Sequence, residues 1–272
     1  MEKFDFTYLS LGAGVQSSAL LLCAEKGLYN VPRPEICVFA DTMCEPPYVY
    51  AWLDRLRELS SIPIKTVSAG DLKDVTLNGI PGQKDFVSLP VYGLNPDNSK
   101  TLLRRQCTRQ FKLDPVRKAV RSHLGYKPRQ HVKESVRALI GISLEEAIRM
   151  KPSWDKWVTN DYPLVDARLR RGDCHRLLQE HGWSVDGMPG RSACTFCPFH
   201  SDREFAELKK DPEVWADIVA FDHAIRNKSQ KGAEYPIFLH KSCKPIDEVD
   251  FTHGGQTEFD FFGGECEGMC GC

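Results

Sequence analysis

The stretch FTYLSLGAGVQSSALLL, residues 6–22, decides the fold class. Its front half alternates like a strand, a turn rich in glycine follows, and its back half favours a helix. Such a turn can hold an anion, because backbone N–H groups and the helix N-terminus point at one place. The stretch is not a Walker loop, since no lysine precedes Ser17, and Ser17 also occupies the third glycine position of G-x-G-x-x-G.

Strands and helices alternate after this stretch. Apolar strands are predicted at 4–11, 34–41 and 62–69, with helices at 17–26 and 48–60 between them. This order predicts an α/β fold with a Rossmann-like parallel sheet flanked by helices and joined by right-handed crossovers. Ligands of such sheets bind beyond the carboxyl ends of the strands, where Gly12 and Asp41 fall.

The rest of the chain predicts three regions. A fourth strand at 135–142 and a helix at 113–123 complete the first region, while 70–100 is expected to be a long loop. We place a nucleotide-binding α/β domain at 1–165, a helical, cysteine-containing lobe at 166–250 and a mobile cysteine-rich tail at 251–272.

Composition narrows the class of protein. The chain has 272 residues and eleven cysteines, an odd number that makes a disulfide framework a poor interpretation. No apolar run approaches the ~20 residues that span a membrane. We therefore expect a cytoplasmic enzyme that has no membrane partner.

The net charge of −1 hides a strongly basic segment. Residues 100–137, called the basic block below, contain twelve lysines and arginines and two acids, a net charge of +10. Such a block can bind phosphates of a nucleic acid or nucleotide. The alternative is a solvated helix face whose charge is offset by acids elsewhere in the fold.

The glycine turn offers donors for phosphate oxygens. Gly12 and Gly14 can adopt positive φ and bring backbone N–H groups close to an anion. The hydroxyls of Ser10, Ser17 and Ser18 can donate as well. The alternative is a capped helix after a tight turn.

Six segments in order resemble the PP-loop superfamily, in the variant carried by sulfonucleotide (APS/PAPS) reductases. They are SLGAGVQSSALLL (10–22), FADTMCEPPYVYAWLDRL (39–56), CTRQFKLDPVRKAV (107–120), ALIGISLEEAIRM (138–150), NDYPLV (160–165) and GRSACTFCPF (190–199). The resemblance implies an adenine-nucleotide site. The implied nucleotide-binding residues are Ser10, Gly12, Gly14, Gln16, Ser17, Ser18, Asp41, Thr42, Gly141 and Arg149.

Charged side chains extend this predicted site. Arg105 and Lys112 are predicted to bind phosphate or substrate, since arginine offers a planar fork that suits phosphate oxygens. Asp41 is a candidate for holding Mg²⁺ or the ribose–adenine end, and either Glu145 or Glu146 is expected to orient Arg149.

The spacing Cys194-x-x-Cys197 suits a metal ion or a redox dithiol. The resemblance implies that Cys107 joins these two, as in iron–sulfur reductases, although those enzymes carry a cysteine pair where this chain has Gln106-Cys107. We take Cys174 as the fourth ligand. A [4Fe–4S] cluster is favoured over zinc by resemblance, not by geometry.

The C-terminal sequence GGECEGMCGC, residues 263–272, is similar to the E-C-G tail of the reductases but departs from it. The resemblance makes Cys266 and Cys270 candidate catalytic thiols, beside Asp41. They can carry sulfur or ligate the cluster; the alternative is an adventitious exposed tail.

Three functions follow as expectations. The first is an ATP-pyrophosphatase that adenylates a substrate oxygen and replaces it with sulfur, in a nucleobase, nucleotide or nucleic acid. ATP would be the cosubstrate, with Mg²⁺ and the cluster as cofactors and sulfide or a donor protein as the sulfur source. The second is a sulfonucleotide reductase that releases sulfite. The third is a non-catalytic, zinc-stabilised protein that binds nucleic acid or a partner.

Overall fold

The computed structural model describes residues 3–79, 89–184, 188–228 and 236–251. Within these ranges the strands are β1 (Phe6–Leu11), β2 (Ile36–Asp41), β3 (Ile64–Ser68), β4 (Tyr92–Leu94), β5 (Lys100–Leu102), β6 (Val136–Ile140), β7 (Val158–Asp161) and β8 (Ile237–Phe238). The α-helices are α1 (Val15–Lys26), α2 (Pro47–Leu59), α3 (Leu72–Asn78), α4 (Asp114–His123), α5 (Pro163–Asp166), α6 (Arg171–Glu180), α7 (Asp202–Leu208) and α8 (Pro212–Ile225).

The central sheet is parallel throughout and has the order β3-β2-β1-β6-β7. The predicted α/β fold is therefore confirmed. β1 is buried at every position, because helices cover both faces of the sheet and leave no polar side. The strand order reverses at β1, with β2 on one side and β6 on the other. This reversal opens a crevice at the carboxyl ends of β1 and β6.

Helix α1 follows β1 directly and lies deep in the main core. It ends at Gly27, which adopts the left-handed conformation (φ 65°) that glycine tolerates without strain. The indole N–H of Trp52, on α2, donates a hydrogen bond of 2.9 Å to the hydroxyl of Ser18, a residue with no solvent exposure. A polar contact inside an apolar layer thus fixes α2 against α1.

Replacing Trp52 by phenylalanine should lower the free energy of unfolding by about 1–3 kcal/mol, because the buried Ser18 hydroxyl loses its donor. Denaturant unfolding followed by circular dichroism measures this change. The matched control is Trp154→Phe, at an exposed tryptophan, which should stay within about 0.5 kcal/mol of wild type. Equal effects of the two substitutions would contradict the prediction.

A second apolar core lies beside the sheet. It surrounds a small antiparallel sheet of order β5-β4-β8 and includes Leu72, Phe111, Phe205 and Phe221. Its buried residues come from two distant parts of the chain, 44–111 and 196–249. The second core is therefore not built from one continuous segment of the chain.

The predicted domain boundary at 165/166 does not coincide with this packing. Helix α6 lies beyond that boundary, yet its Cys174 and Leu178 pack with α1 in the main core. The expected long loop at 70–100 is also incorrect in part, since it contains α3 and β4. Asp71 caps the N-terminus of α3, because its carboxylate accepts hydrogen bonds from the N–H groups of Lys73 and Asp74.

The basic block contributes Phe111 to the second core, and its helix α4 packs Val116 and Val120 in a further apolar cluster with Phe6 and Val38 of the main sheet. A π-helical segment, Thr108–Leu113, leads directly into α4, and the helix predicted at 113–123 is confirmed. In the ranges that the structure describes, no helix is both long and apolar enough to cross a membrane.

Candidate functional site

A cavity of about 990 Å³, measured with its open mouth, lies at the carboxyl ends of β1 and β6. Its lining comes from four parts of the chain: the glycine turn after β1, the residues after β6, the π-helical segment and the Cys194–Cys197 segment. The cavity therefore lies where the main core meets the second core.

The turn after β1 is closed by its own serine. The hydroxyl of Ser17 donates to the carbonyl of Gly14 (3.1 Å) and accepts from the N–H of Gly12 (3.2 Å). The positive φ expected at Gly12 or Gly14 falls instead on Ala13 (φ 57°), whereas Gly14 is extended. Gly12, Gly14, Gln16 and Ser17 all line the cavity, as the sequence predicts for a nucleotide site.

Gly141, directly after β6, allows the backbone there to approach the start of α1. A Cβ atom on Gly141 would lie 2.8 Å from both the N and the Cα of Ser17, which is closer than such atoms come. Since both contacts are backbone, no side-chain movement relieves them. Glycine is therefore required at this position.

A polar network joins the turn to the 3₁₀ helix Leu144–Arg149. The side-chain amide of Gln16 donates to the carboxylate of Glu146 (3.2 Å), and Arg149 donates to the other oxygen of that carboxylate. Of the two acids predicted to orient Arg149, Glu146 does so. Glu145 instead accepts from the N–H of Arg171 at the start of α6 (2.7 Å).

Three predicted residues do not line the cavity that the described residues form: Ser10, Ser18 and Asp41. Ser10 is buried within β1, and the hydroxyl of Ser18 accepts from Trp52. The carboxylate of Asp41 accepts from the N–H of Met43 (2.7 Å) and the hydroxyl of Tyr50 (2.9 Å), which holds the turn after β2. Its neighbour Thr42 does line the cavity.

Cys107, Cys194 and Cys197 line the same cavity, as predicted. The Cys194 sulfur lies 3.1 Å from the Thr42 hydroxyl, and the N–H of Cys197 donates to the carbonyl of Cys194. Burial raises the pKa of the Cys194 thiol well above its ordinary value. The fold thus brings residues 107 and 194 to one cavity.

Cys174 is not with these thiols. It lies in the main core on α6, where burial raises its pKa to about 12. Within residues 3–79, 89–184, 188–228 and 236–251, no group of three or more cysteines, histidines or acids is placed to hold a metal ion. The described residues thus do not fit a four-thiolate cluster. The candidates Cys266 and Cys270 lie outside the described residues.

Two residues at the site, Glu45 and Ser192, were not predicted from the sequence. Glu45 is buried and accepts hydrogen bonds from Lys112 (3.3 Å) and from the hydroxyl of Ser192 (2.8 Å). Burial alone would lower the pKa of Lys112, but the charges of Glu45 and of a Cys194 thiolate more than offset it and raise that pKa. Glu45 lies in the second quoted motif, so the motif itself was a signal for it.

The remaining predicted cation, Arg105, also lines the cavity. Its guanidinium lies 5.1 Å from the ring centroid of Phe199, which follows Cys197 by two residues in the sequence. The cavity therefore collects three cations from the basic block and the 3₁₀ helix, namely Arg105, Lys112 and Arg149.

An ion pair holds the Cys194–Cys197 segment in place. Arg191 forms an ion pair with Glu204 on α7 (3.0 Å). The carboxylate of Glu204 also accepts a hydrogen bond from the N–H of Ser201, the residue that caps the N-terminus of α7. Burial would raise the pKa of Glu204, but the hydrogen bond from His200 and the charge of Arg191 lower it from 4.5 to about 2.

This lowered pKa predicts a pH-dependent contribution to stability. Above pH 4.5, Glu204→Gln should lower the free energy of unfolding by about 3 kcal/mol relative to wild type. The difference should shrink as the pH falls toward 2, because protonation of Glu204 removes the same interaction from wild type. Denaturant unfolding between pH 7 and pH 2 measures it, with Glu207→Gln, at an exposed acid, as control. A difference that is independent of pH would contradict the assignment.

No protein-family model matches the chain, and no curated protein matches it. Among solved structures, the chain is similar to phosphoadenylyl-sulfate (PAPS) reductase from Candida auris, determined as a phosphate complex. That match has 13% sequence identity and a TM-score of 0.44, and it covers 68% of this chain and 76% of the other. The cavity geometry, and not this likeness, carries the functional inference.

Proposed function

We propose that the protein is a PP-loop enzyme that activates a substrate oxygen with ATP and replaces that oxygen with sulfur. The substrate is a nucleobase, a nucleotide or a nucleic acid. One observation carries the proposal: the glycine turn and three cysteine thiols, from segments far apart in the chain, line the same cavity. An anion-binding turn and sulfur nucleophiles in one volume suit a reaction that uses both.

The first step is adenylation. The turn and the N-terminus of α1 hold the β- and γ-phosphates of ATP, and a substrate oxygen attacks the α-phosphorus. Pyrophosphate leaves, and the oxygen becomes part of an adenylate. Arg149 and Lys112 stabilise the negative charge that develops on the phosphates.

The second step exchanges oxygen for sulfur. A sulfur nucleophile attacks the carbon that bears the adenylate, and AMP leaves with the oxygen. Hydrosulfide can be this nucleophile directly, so that the C–S bond forms as the C–O bond to the adenylate breaks. Where a donor protein supplies a persulfide, one of Cys107, Cys194 and Cys197 takes its outer sulfur by exchange and the donor leaves as a thiol. After that sulfur has attacked the carbon, a second cavity thiol releases the product by forming a disulfide, which an external dithiol reduces. Lys112, held by Glu45, places a positive charge beside Cys194, and this charge opposes part of the rise in the thiol pKa that burial causes.

The carboxylate of the described cavity lining is Glu146, and it is already bonded to Gln16 and Arg149. These residues do not form a Mg²⁺ site, so phosphate charge falls to the cavity cations. This observation favours a second candidate, a sulfonucleotide reductase in which a thiol attacks the sulfur of APS or PAPS and sulfite is then released. We favour adenylation, because the chain has Gln106-Cys107 where the reductases carry a cysteine pair and its C-terminal sequence departs from their E-C-G tail.

Calorimetric titration of anaerobically purified protein with Mg-ATP, APS and PAPS separates the two candidates. Binding of ATP, followed by release of pyrophosphate and AMP with an acceptor present, supports adenylation. Preference for APS or PAPS, with sulfite release, establishes the reductase instead. Binding of none of the three nucleotides would refute both functions.

A further inference from the structure

An exposed apolar surface lies beside the cavity. Ile148 is 90% exposed, Trp154 is 79% exposed, and Met150 between them is also exposed. These residues flank Arg149, whose side chain lines the cavity. Side chains of this size normally avoid water, so three of them together indicate a binding surface.

The π-helical segment brings a cation to the same place. The guanidinium of Arg109 lies 5.8 Å from the ring centroid of Trp154, while the preceding residue, Thr108, lines the cavity. We call Arg109, Ile148, Met150 and Trp154 the Trp154 surface. It lies at the mouth of the cavity, because a neighbour of each of its two segments forms the cavity wall.

The charge around this surface is positive. Exposed cations lie in the two segments that form this surface: Arg104, Arg117 and Lys118 in the basic block, and Lys151 and Lys156 near Trp154 in the sequence. Asp155 pairs with Arg117 and offsets its charge, and Glu146 pairs with Arg149. A polyanion therefore meets an attractive potential here.

We propose that the Trp154 surface binds single-stranded nucleic acid, with one base stacked on the indole of Trp154 and phosphates on the surrounding cations. An aromatic face among cations is the combination that binds single strands, because every base has a π-face and every linkage carries a charge. A duplex fits less well, since its bases are already stacked on each other. This inference rests on the proposed function and names a polymer as its substrate class.

Fluorescence anisotropy with labelled single-stranded DNA and RNA 12-mers, and with a duplex of the same sequence, tests the proposal. Wild type should bind the single strands more tightly than the duplex, and Trp154→Ala should weaken single-strand binding about tenfold or more. Trp154→Phe should restore most of the affinity, because phenylalanine also stacks. The DNA and RNA arms show which polymer is preferred.

The matched control is Tyr29→Ala. Tyr29 is an exposed aromatic residue just beyond the C-terminus of α1, at the opposite end of the sheet from the cavity. It should leave single-strand binding unchanged. Arg109→Ala should reduce the salt dependence, the slope of log K against log [salt], by ~0.7.

Equal binding by wild type and Trp154→Ala would overturn the proposal. Absence of single-strand binding by wild type would also overturn it. The same holds if sedimentation shows that Trp154 mediates self-association and no single strand binds. Titration with Mg-ATP keeps this test separate from the proposed function. Wild type that binds ATP but no single strand refutes only the nucleic-acid surface, and wild type that binds neither refutes both.

Discussion

Alanine at position 141 should weaken adenine-nucleotide binding about 100-fold while the protein still folds. The register of β1 against β6, Ser10 beside Ile140, fixes where Gly141 meets the turn. The added Cβ would lie 2.8 Å from the backbone of Ser17, so the turn must move away and its N–H groups leave their positions. Displacements of about 1 Å at a binding site cost on the order of 100-fold. Calorimetry with the nucleotide that binds wild type measures the loss.

The control for this substitution is Gly172→Ala. Gly172 lies in the first turn of α6, where a Cβ meets no atom within 4 Å. Alanine there should leave nucleotide affinity unchanged and stabilise the helix slightly. Circular dichroism confirms that both variants are folded. Wild-type affinity in Gly141→Ala would show that the turn does not hold the nucleotide.

Replacing Cys194 by alanine should reduce turnover on the order of a thousandfold or more and leave nucleotide affinity within a few-fold of wild type. Its sulfur lies in the cavity wall beside Thr42 and near Lys112, where a thiol can reach a bound substrate. The residues proposed to bind the nucleotide, Gly12, Gly14 and Gln16, belong to a different segment of the cavity lining. The rate of sulfur-containing product formation gives the first quantity, and calorimetry gives the second.

Cys174→Ala is the control, because it removes a thiol that is buried in the main core and does not line the cavity. It should lower stability by about 1 kcal/mol and leave turnover unchanged. Loss of turnover in Cys174→Ala, with Cys194→Ala still active, would reverse the assignment of the two cysteines. Metal analysis of both variants and of wild type tests the predicted cluster independently of turnover.

Strands β1, β2, β3 and β6 of the main sheet could be predicted from the sequence because apolar segments alternate with helices there. Strand β7, with the sequence VTND, lacks an apolar run and was not predicted. A parallel strand that is buried on both faces leaves that pattern whatever lies around it. The second core left no such pattern. Its strands β4, β5 and β8 are only two or three residues long, and their partners lie far apart in the chain.

The candidate site was predictable where backbone position decides the outcome. Gly12, Gly14 and Gly141 follow strand ends, and parallel strands bring those ends together. Side-chain direction could not be predicted in the same way. Ser17 and Ser18 are neighbours, yet a rotation of about 100° along α1 turns one toward the cavity and the other toward Trp52.

The location of Cys174 could not be predicted for a different reason. Its place in the sequence, shortly before the C-x-x-C pair, suggests proximity to that pair. Chain distance does not determine which core a buried helix joins, and α6 packs against α1. Glu45 shows the converse, since its partner Lys112 lies 67 positions away and only the folded chain brings the two charges together.

The divided origin of the second core has a consequence for how the protein reaches its native state. Leu72 and Phe111 are made early on the ribosome, but the residues of the same core in 196–249 emerge at least 85 residues later. Contacts of such long sequence separation form slowly, and apolar residues that wait for them are exposed to aggregation. The main sheet has most of its strands earlier and can form first. The wall that carries the thiols is therefore assembled last, so a stalled or shortened chain would have the turn after β1 without the cavity it faces.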